Sequence, residues 1–548
     1  TSEWITKGIR ISSIKLKALS SLVKEKIVTE SFHSYYKNYK KIYNKVIKAA
    51  KKFHHDKLVR DSINKSKTMW DIIRKETQKN TRDYNNYCIK NNGEIVSNPK
   101  IVAEIFNDFF VGVANNFQNK FGTRKASTTN NISYPTIFLS PTTELELLSI
   151  IKQMKSKHSA GLDGCSNNLL KHCSAYLVKP LCYMINLSLS KGHFPENLKL
   201  SKIKPLHKKG PIDELENYRP ISLLSVFSKL LEKVVYLRVS NFINKFDILS
   251  KCQYGFQKGK STNTALIHFT EEVYKKMDSK DECVGIFLDL SKAFDLVNHD
   301  ILLSKLSKYG IRGIAHKWFE SYLKNRKQLV EIEYFDKLTN KIKIVQSNIN
   351  NVEYGVPQGS VLGPLLFILY INDLVDDNVN NKYLNYFLFA DDTSIIVSGC
   401  DRHELQTNIR NATSHILSWF DQNRLVINKN KSTALRFQHK INKNPDILEV
   451  RFGNDIVKFS DDLKFIGVWL DKNLSWSKHI DVLAKRLSQV CYIINSLRTS
   501  VNVSTLRTVY FAYFHSLLSY GITLWGNTSN SIRIFKIQKR SIRLIFNL

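Results

Sequence analysis

Acidic side chains are scarce in this chain. Across 548 residues, Asp+Glu number 48 against 82 Lys+Arg, for a net charge of +34. That deficit disfavours a cationic partner and points to a polyanion. A membrane surface fits less well, because the basic residues are spread along the chain and form no amphipathic anchor. The eight cysteines (Cys88, Cys165, Cys173, Cys182, Cys252, Cys283, Cys400 and Cys491) include no Cys-x-x-Cys pair and no Cys/His cluster at zinc spacing. This excludes a zinc module and predicts reduced thiols in an intracellular protein. Long apolar runs are also lacking. Thr508–Trp525 carries no Asp, Glu, Lys or Arg, but His515, three Tyr and two Ser make it a poor membrane span. Leu506, Val509, Tyr510, Tyr513, Phe514, Leu517 and Leu518 fall instead at the spacing of a buried helix. Neither an initiating Met nor a signal peptide is present, so the chain is expected to be a piece of a longer product. Gly255-Phe256-Gln257-Lys258-Gly259-Lys260-Ser261 has three residues between its glycines where a phosphate-binding loop needs four, and no clear strand precedes it. That excludes an NTPase.

What is present describes a folded protein of two to four structural units, with 43% hydrophobic and 11% aromatic residues. Residues 1–80 are strongly basic, with Lys24, Lys26, Lys37, Lys40, Lys41, Lys45, Lys48, Lys51 and Lys52 in one stretch. Tyr35, Tyr36, Tyr39, Tyr43 and Phe53 are interleaved among them. Lysines with aromatics suit a nucleic-acid face, and a solvated helix face is the equal alternative. Lys100–Phe121 reads as an amphipathic helix and Gly122–Ser133 as a polar linker. Ser140-Pro141-Thr142-Thr143-Glu144 then starts a helix over Leu145–Met154, and Tyr176–Leu189 is a second, apolar one. Lys202, Lys204, Lys208, Lys209 and Arg219 surround short strand-like runs whose edge could hold a triphosphate.

The stretch that organises the rest is Tyr386-Phe-Leu-Phe-Ala-Asp-Asp-Thr-Ser-Ile-Ile-Val397. Two apolar, β-prone runs flank Ala390-Asp391-Asp392-Thr393, which predicts a tight hairpin presenting adjacent carboxylates. An Asp-Asp turn alone is ordinary. A third carboxylate changes its meaning: Val284–Leu288 is an apolar strand carrying Asp289 to its end, and a helix follows over Asp300–Lys308, stopped at Gly310. Two such strands side by side would bring Asp289 to Asp391 and Asp392. Hard oxygen ligands of that kind suit Mg²⁺, and an ion pair roughly 3.5–4 Å apart would serve phosphoryl transfer. Gly355-Val356-Pro357-Gln358-Gly359-Ser360 reads as a loop, and Gly363-Pro364 opens an apolar helix over Leu365–Leu374.

Five stretches, in this order, resemble a reverse transcriptase of the non-LTR (LINE-type, jockey-like) retrotransposon family. They are Asn217-Tyr-Arg-Pro-Ile-Ser-Leu-Leu224, Gln253-Tyr-Gly-Phe256, Phe287-Leu-Asp-Leu-Ser-Lys-Ala-Phe-Asp295, Gly355-Val-Pro-Gln-Gly-Ser360 and Phe389-Ala-Asp-Asp392. The resemblance covers roughly residues 140–500. It implies an α+β right-hand polymerase with fingers, palm and helical thumb. The boundaries expected are a basic helical extension over 1–121, a linker over 122–139, fingers and palm over 140–475, and a thumb with further helices over 476–548.

The resemblance also assigns roles. Asp289 and Asp391 match two metal-ligand positions, and Asp392 matches the neighbouring carboxylate. Phe294 matches the aromatic beneath the incoming sugar, Gln358 a residue of the nucleotide pocket, and Arg219 and Lys208 positions facing the triphosphate. Lys431 matches a residue near the leaving phosphate, able to act as an acid. Phe465 and Gly467 match the strand pair that grips the primer end. Implied cofactors are two Mg²⁺ ions, replaceable by Mn²⁺. Implied partners are an RNA template, a DNA primer or target, and deoxynucleoside triphosphates, with no membrane. Action in the nucleus after a cytoplasmic ribonucleoprotein stage is implied too. No upstream region is long enough for the family's usual endonuclease and no Cys/His knuckle closes the sequence, so truncation at both ends is expected. The alternative function is a catalytically inactive, basic RNA-binding remnant of such an element.

Overall fold

The computed structural model describes residues 3–25, 29–62, 64–77, 87–91, 93–118, 134–336, 338–375, 383–438 and 448–548. The expected linker Gly122–Ser133 lies outside them. The chain divides into two compact units, Tyr84–Leu463 and a second formed by Thr1–Asp83 together with Lys464–Leu548.

The larger unit is α+β. It opens with a small antiparallel pair, β1 (Ile89–Asn91) and β2 (Glu94–Val96). One of its main sheets contains β3 (Leu200–His207), β4 (Tyr218–Leu223), β6 (Arg326–Asp336) and β7 (Lys341–Gln346) in the order β4-β3-β6-β7, with β8 (Asn350–Val352) also paired to β6. The other contains β5 (Glu282–Leu288), β9 (Leu384–Phe389), β10 (Asp392–Gly399), β11 (Thr433–Phe437), β12 (Val450–Phe452) and β13 (Asp455–Phe459), in the order β12-β13-β11-β5-β10-β9. β5 is apolar at nearly every position and buried from Cys283 to Leu288, which suits an interior strand covered on both faces. It pairs antiparallel with β10, Thr393 opposite Leu288, and with β11, Thr433 opposite Phe287. The helices Thr262–Asp278 and Arg402–Gln422 pack against this sheet.

The helix expected over Lys100–Phe121 is described over Pro99–Gln118. It belongs to the larger unit rather than to the basic front section. Val102, Ala103, Phe106 and Phe110 form a satellite core with Ile203, Tyr218, Val330 and Ile332 of the β3–β4–β6 sheet. Its apolar stripe explains the placement, since a helix with such a face is stabilised by a sheet to cover. Among the basic residues expected to form a triphosphate edge, Lys202 and Lys204 are engaged elsewhere. Both pair with Glu331, and Lys204 also with Glu333.

In the smaller unit, sequence-distant ends come together. Its helices include Lys7–Lys24, Glu30–Asp61, Lys65–Thr77, Ser477–Leu497 and Ile532–Phe546, with a hairpin of β14 (Asp462–Phe465) and β15 (Val468–Asp471). The His55 ring meets the Ser500 carbonyl at 3.0 Å, and the Trp70 and Tyr513 rings meet edge to face at 4.3 Å. Residues 503–519 are helical as expected, but only one face is buried, including Leu506, Val509 and Phe514. Among the described residues no helix is long and apolar enough to cross a membrane.

Lys305 is among the cations sealed inside the larger unit, with Lys199 and Arg326. Lys305, on the helix His299–Lys308, is 3% exposed and donates to the Tyr370 carbonyl at 2.6 Å and to Asp373. Burial pulls its ammonium down to about 8, against the opposing pull of Asp373. Between that value and the ordinary lysine range of about 10.4, the unfolded chain binds a proton that the folded chain releases. Stability contributed by Lys305 should therefore rise with pH across this window, by roughly 3 kcal/mol at most at about 1.4 kcal/mol per pH unit. Urea unfolding of the wild type and Lys305→Met from pH 7 to 10 checks this. The difference between them should change in that direction, and parallel curves would show that the residue does not titrate there.

Candidate active site

The hairpin expected from Tyr386–Val397 forms from β9 and β10, joined by Ala390-Asp391, with Asp392 paired to Phe389. Ala390 adopts a left-handed backbone (φ 56). That conformation is unusual for a residue with a Cβ and requires its surroundings to hold it. Because Thr393 faces Leu288 across the sheet, Asp392 starts its strand where β5 ends and Asp289 follows. Three carboxylates thus gather at one end of a buried sheet.

Their environment opposes charge. The Asp391 carboxyl is pushed up, by burial first and by the charge of Asp289, while Arg219 and Lys208 pull it back. Asp392 is exposed as a residue, yet surrounding protein, with Asp391 and Asp289, pushes its carboxyl up to about 6. Asp289 is fixed through its backbone: its N–H donates to Ser432 Oγ at 3.3 Å and its carbonyl accepts from Asn428 N–H at 2.7 Å. The same 428–432 turn brings Lys431 Nζ to 3.8 Å from Asp289 Oδ2.

A cleft of about 860 Å³ collects most of the residues expected to act together. Asp289, Phe294, Asp391, Gln358, Lys208, Arg219 and Lys431 all line it; Asp392 is not among its lining residues. Lys208 and Arg219 come from the β3–β4 hairpin, and their mutual repulsion helps to lower the Lys208 pKa, after burial. Phe294 is both a wall of this cleft and part of the packing, its ring stacked on Phe367 at 4.6 Å between centroids. Gln358 donates to Asp295 Oδ1 at 2.8 Å, while its carbonyl accepts from Ser222 N–H at 2.8 Å. Burial pushes Asp295 up to about 6. Phe465 and Gly467 lie outside this cleft, in the smaller unit. There Gly467 (φ 89) follows Ile466 (φ 40) in the β14–β15 turn, and Tyr520 Oη donates to the Ile466 carbonyl.

The donor set fits hard divalent cations, since Asp289, Asp391 and Asp392 offer only carboxylate oxygens. Their side chains are not drawn into a closed cluster: among the described residues no group of three His, Cys, Asp or Glu is placed to hold a metal ion.

Two supports of the site had no assigned role in the sequence. Gln253 is 1% exposed, and its Oε1 accepts from the N–H groups of Gly255 at 2.8 Å and Ala390 at 3.2 Å. Gly255 lies so close to the turn that a Cβ there would meet Ala390 N at 2.4 Å. The Gln-Tyr-Gly-Phe stretch was visible, but nothing in it announced contact with a turn 137 residues away. Glu232, 0% exposed, accepts from Ser228 Oγ and from the N–H groups of Val361 and Leu362 at the start of the helix Gly363–Tyr370. An acid inside Leu-Leu-Glu-Lys-Val-Val was the available signal for it.

Gln253→Met keeps most of the side-chain volume but leaves two buried N–H groups without an acceptor. At about 1–3 kcal/mol per orphaned group, unfolding should cost roughly 2–6 kcal/mol less than in the wild type. Denaturant unfolding checks this, and a loss below about 0.5 kcal/mol would show that the turn does not depend on the clamp.

Residues 206–496 match the family model described as reverse transcriptase (RNA-dependent DNA polymerase). The chain is 28% identical, over 83% of its length and 50% of the relative's, to the probable RNA-directed DNA polymerase from transposon BS of Drosophila melanogaster. It is 30% identical, over 74% of its length and 44% of the relative's, to the corresponding protein of the X-element from the same organism. The RNA-directed DNA polymerase from mobile element jockey, also of Drosophila melanogaster, is 25% identical over 74% of this chain and 44% of that protein. The chain thus spans about half the length of the relatives it matches. It belongs to the reverse transcriptase (RNA-dependent DNA polymerase) family, within the jockey-like, non-LTR retrotransposon group.

Proposed function

We propose that this chain carries the RNA-directed DNA polymerase activity of a non-LTR retrotransposon, copying element RNA into DNA from a DNA 3′-hydroxyl. The observation that supports this best is the cleft itself. Carboxylates from two adjacent strand ends share with Lys208, Arg219 and Lys431 a space of about 860 Å³, within the range of pockets that enclose a small ligand. Acids and bases lining one space suit a nucleoside triphosphate whose phosphates meet the cations. On this reading the larger unit supplies palm and fingers, and the rear part of the smaller unit the thumb. The reaction would take place on nuclear DNA after a cytoplasmic ribonucleoprotein stage.

The primer 3′-oxygen attacks the α-phosphorus, the new P–O bond forms, and the α–β P–O bond breaks to release pyrophosphate. Lys208 and Arg219 hold the triphosphate and offset its charge. Phe294, backed by Phe367, sets the floor under the sugar, and Gln358, held by Asp295 and Ser222, fixes the pocket wall. Lys431 stands beside Asp289 to deliver a proton to the departing pyrophosphate. Asp289 and Asp391, with Asp392 beside them, would hold two Mg²⁺ ions, which when bound lower the pKa of the attacking hydroxyl and neutralise the leaving group. Phe465 and Gly467 would steady the primer end. Most of the rate enhancement then comes from positioning and from fixed charge around the transferring phosphoryl group.

Primer extension on an RNA template with deoxynucleotides and Mg²⁺ tests the reading directly. Asp289→Asn and Asp391→Asn keep the side-chain shape while removing a charge, so extension should fall by orders of magnitude with RNA binding retained. A near wild-type rate for Asp391→Asn would sink the metal assignment. RNA binding without any extension by the wild type would make the chain an inactive remnant.

Sugar choice gives a second test. Burying a 2′-hydroxyl against the Phe294 ring without a partner costs about 1–3 kcal/mol, a preference of roughly ten- to two-hundredfold for deoxynucleotides. Phe294→Val should raise ribonucleotide relative to deoxynucleotide incorporation, alongside a loss of stability from the broken stack on Phe367. An unchanged ratio would leave Phe294 as packing alone.

A further inference from the structure

The 255–261 stretch, one residue short of a phosphate-binding loop, turns a lysine towards protein instead. Lys260 Nζ donates to the Lys251 carbonyl at 2.8 Å and to the Gln253 carbonyl at 2.7 Å, and it lies over the Tyr254 ring, 5.2 Å from the centroid. Burial pulls its ammonium down, against the opposing pull of Cys252 and Asp247. The charge is therefore spent on the segment just before the loop. Lys258, two residues earlier, is exposed.

That segment prolongs the sheet beyond β9. Gln253 forms a parallel bridge with Leu388, the Tyr254 N–H donates to the Leu388 carbonyl at 2.7 Å, and the Cys252 carbonyl accepts from the Leu388 N–H at 2.9 Å. Successive carbonyls of an extended chain point to opposite sides, so those of Lys251 and Gln253 turn away from β9. Outward carbonyls on such an edge need a donor, and Lys260 serves both. What this brace carries is Gln253, whose Oε1 accepts from the Gly255 and Ala390 N–H groups at 2.8 and 3.2 Å. Ala390 is the left-handed residue (φ 56) that leads into Asp391. Each link from Lys260 to that turn is a hydrogen bond to or from Gln253.

We propose that Lys260 is a positioning residue for Asp391. It braces residues 251–254 along β9, the brace keeps Gln253 in place, and Gln253 holds the Ala390 backbone so that Asp391 is presented to the cleft. The role deepens the polymerase reading and rests on it, since Asp391 is there a metal ligand. A lysine suits the task because one ammonium can donate to two carbonyls at once. Without it both outward carbonyls lose their donor, the short pairing loosens, and the left-handed turn loses the surroundings that hold it.

The test is single-turnover primer extension by the full chain on an RNA template across a Mg²⁺ titration. Lys260→Met should lower the maximal rate about tenfold or more and raise the Mg²⁺ concentration for half-maximal rate about tenfold, as expected when the support of a metal ligand is removed. Lys260→Arg, whose fork can also reach two carbonyls, should recover most of the rate. Lys258→Met, in the same loop, should extend like the wild type. In a Gln253→Met background, Lys260→Met should cost little more, because it acts through that side chain. Hydrogen exchange reads the brace without catalysis: the peptide spanning 386–392 should exchange faster in Lys260→Met. The proposal is overturned if Lys260→Met keeps the wild-type Mg²⁺ dependence, if Lys258→Met does equal damage, if the two losses multiply, or if exchange over 386–392 is unchanged. A wild type that fails to extend, with exchange still faster in Lys260→Met, would overturn the polymerase reading and leave the brace standing.

Discussion

Like charges brought together at the end of a buried sheet are the constraint from which much of the larger unit follows. β5 and β10 lie side by side with nearly every residue of both buried, and that pairing leaves Asp289 beside the Asp391-Asp392 turn. Isolated carboxylates there would cost several kcal/mol each by desolvation alone (roughly). The raised pKa values of Asp391 and Asp392 are the trace of that conflict, and the facing Lys208, Arg219 and Lys431 are its partial relief. An arrangement that gathers acids and bases around one open space is poised for a ligand that carries both cations and phosphate.

Holding such a turn requires a scaffold that does not depend on the charges. It comes from three directions. Gln253 and Gly255 grip the Ala390 backbone, with Tyr254 N–H donating to the Leu388 carbonyl at 2.7 Å. Asn428 and Ser432 lace the end of β5. The 355–360 loop is tied to the segment after Asp289, with Val356 N–H donating to the Phe294 carbonyl at 2.9 Å and the His299 ring meeting the Gly355 carbonyl at 2.8 Å. All of these are backbone anchors, so the side chains that face the cleft can differ in chemistry without loosening the frame.

The excess of positive charge is not distributed as a uniform coat. Lys202, Lys204 and Lys305 are consumed by internal acids, and Lys51 of the front section pairs with Glu76. What stays available is grouped: the cleft cations, and the exposed Lys37, Lys40, Lys41, Lys45 and Lys48 of the helix Glu30–Asp61. Grouped cations raise the local potential more than scattered ones, which matters for a partner with closely spaced phosphates.

How much of this was legible in the sequence depends on whether the signal is local. Alternation and apolar runs identified the hairpin around Asp391, the strand ending in Asp289, the helices after it, and the absence of a membrane-crossing helix among the described residues, because these follow from short-range periodicity. The family resemblance named the cleft residues, and seven of them do line one space. Only the tertiary structure decided where each cation goes. Lys202 and Lys204 looked equivalent to Lys208 until β6 brought Glu331 alongside them. It also moved the helix Pro99–Gln118 onto the β3–β4–β6 sheet and joined the first helices of the chain to its last. Gln253 and Glu232 could not be read as supports because a hydrogen bond across more than a hundred residues leaves no mark on the pattern of either segment. Periodicity determines which face of an element is buried; which distant partner covers that face is settled by packing and by satisfying the polar groups it traps.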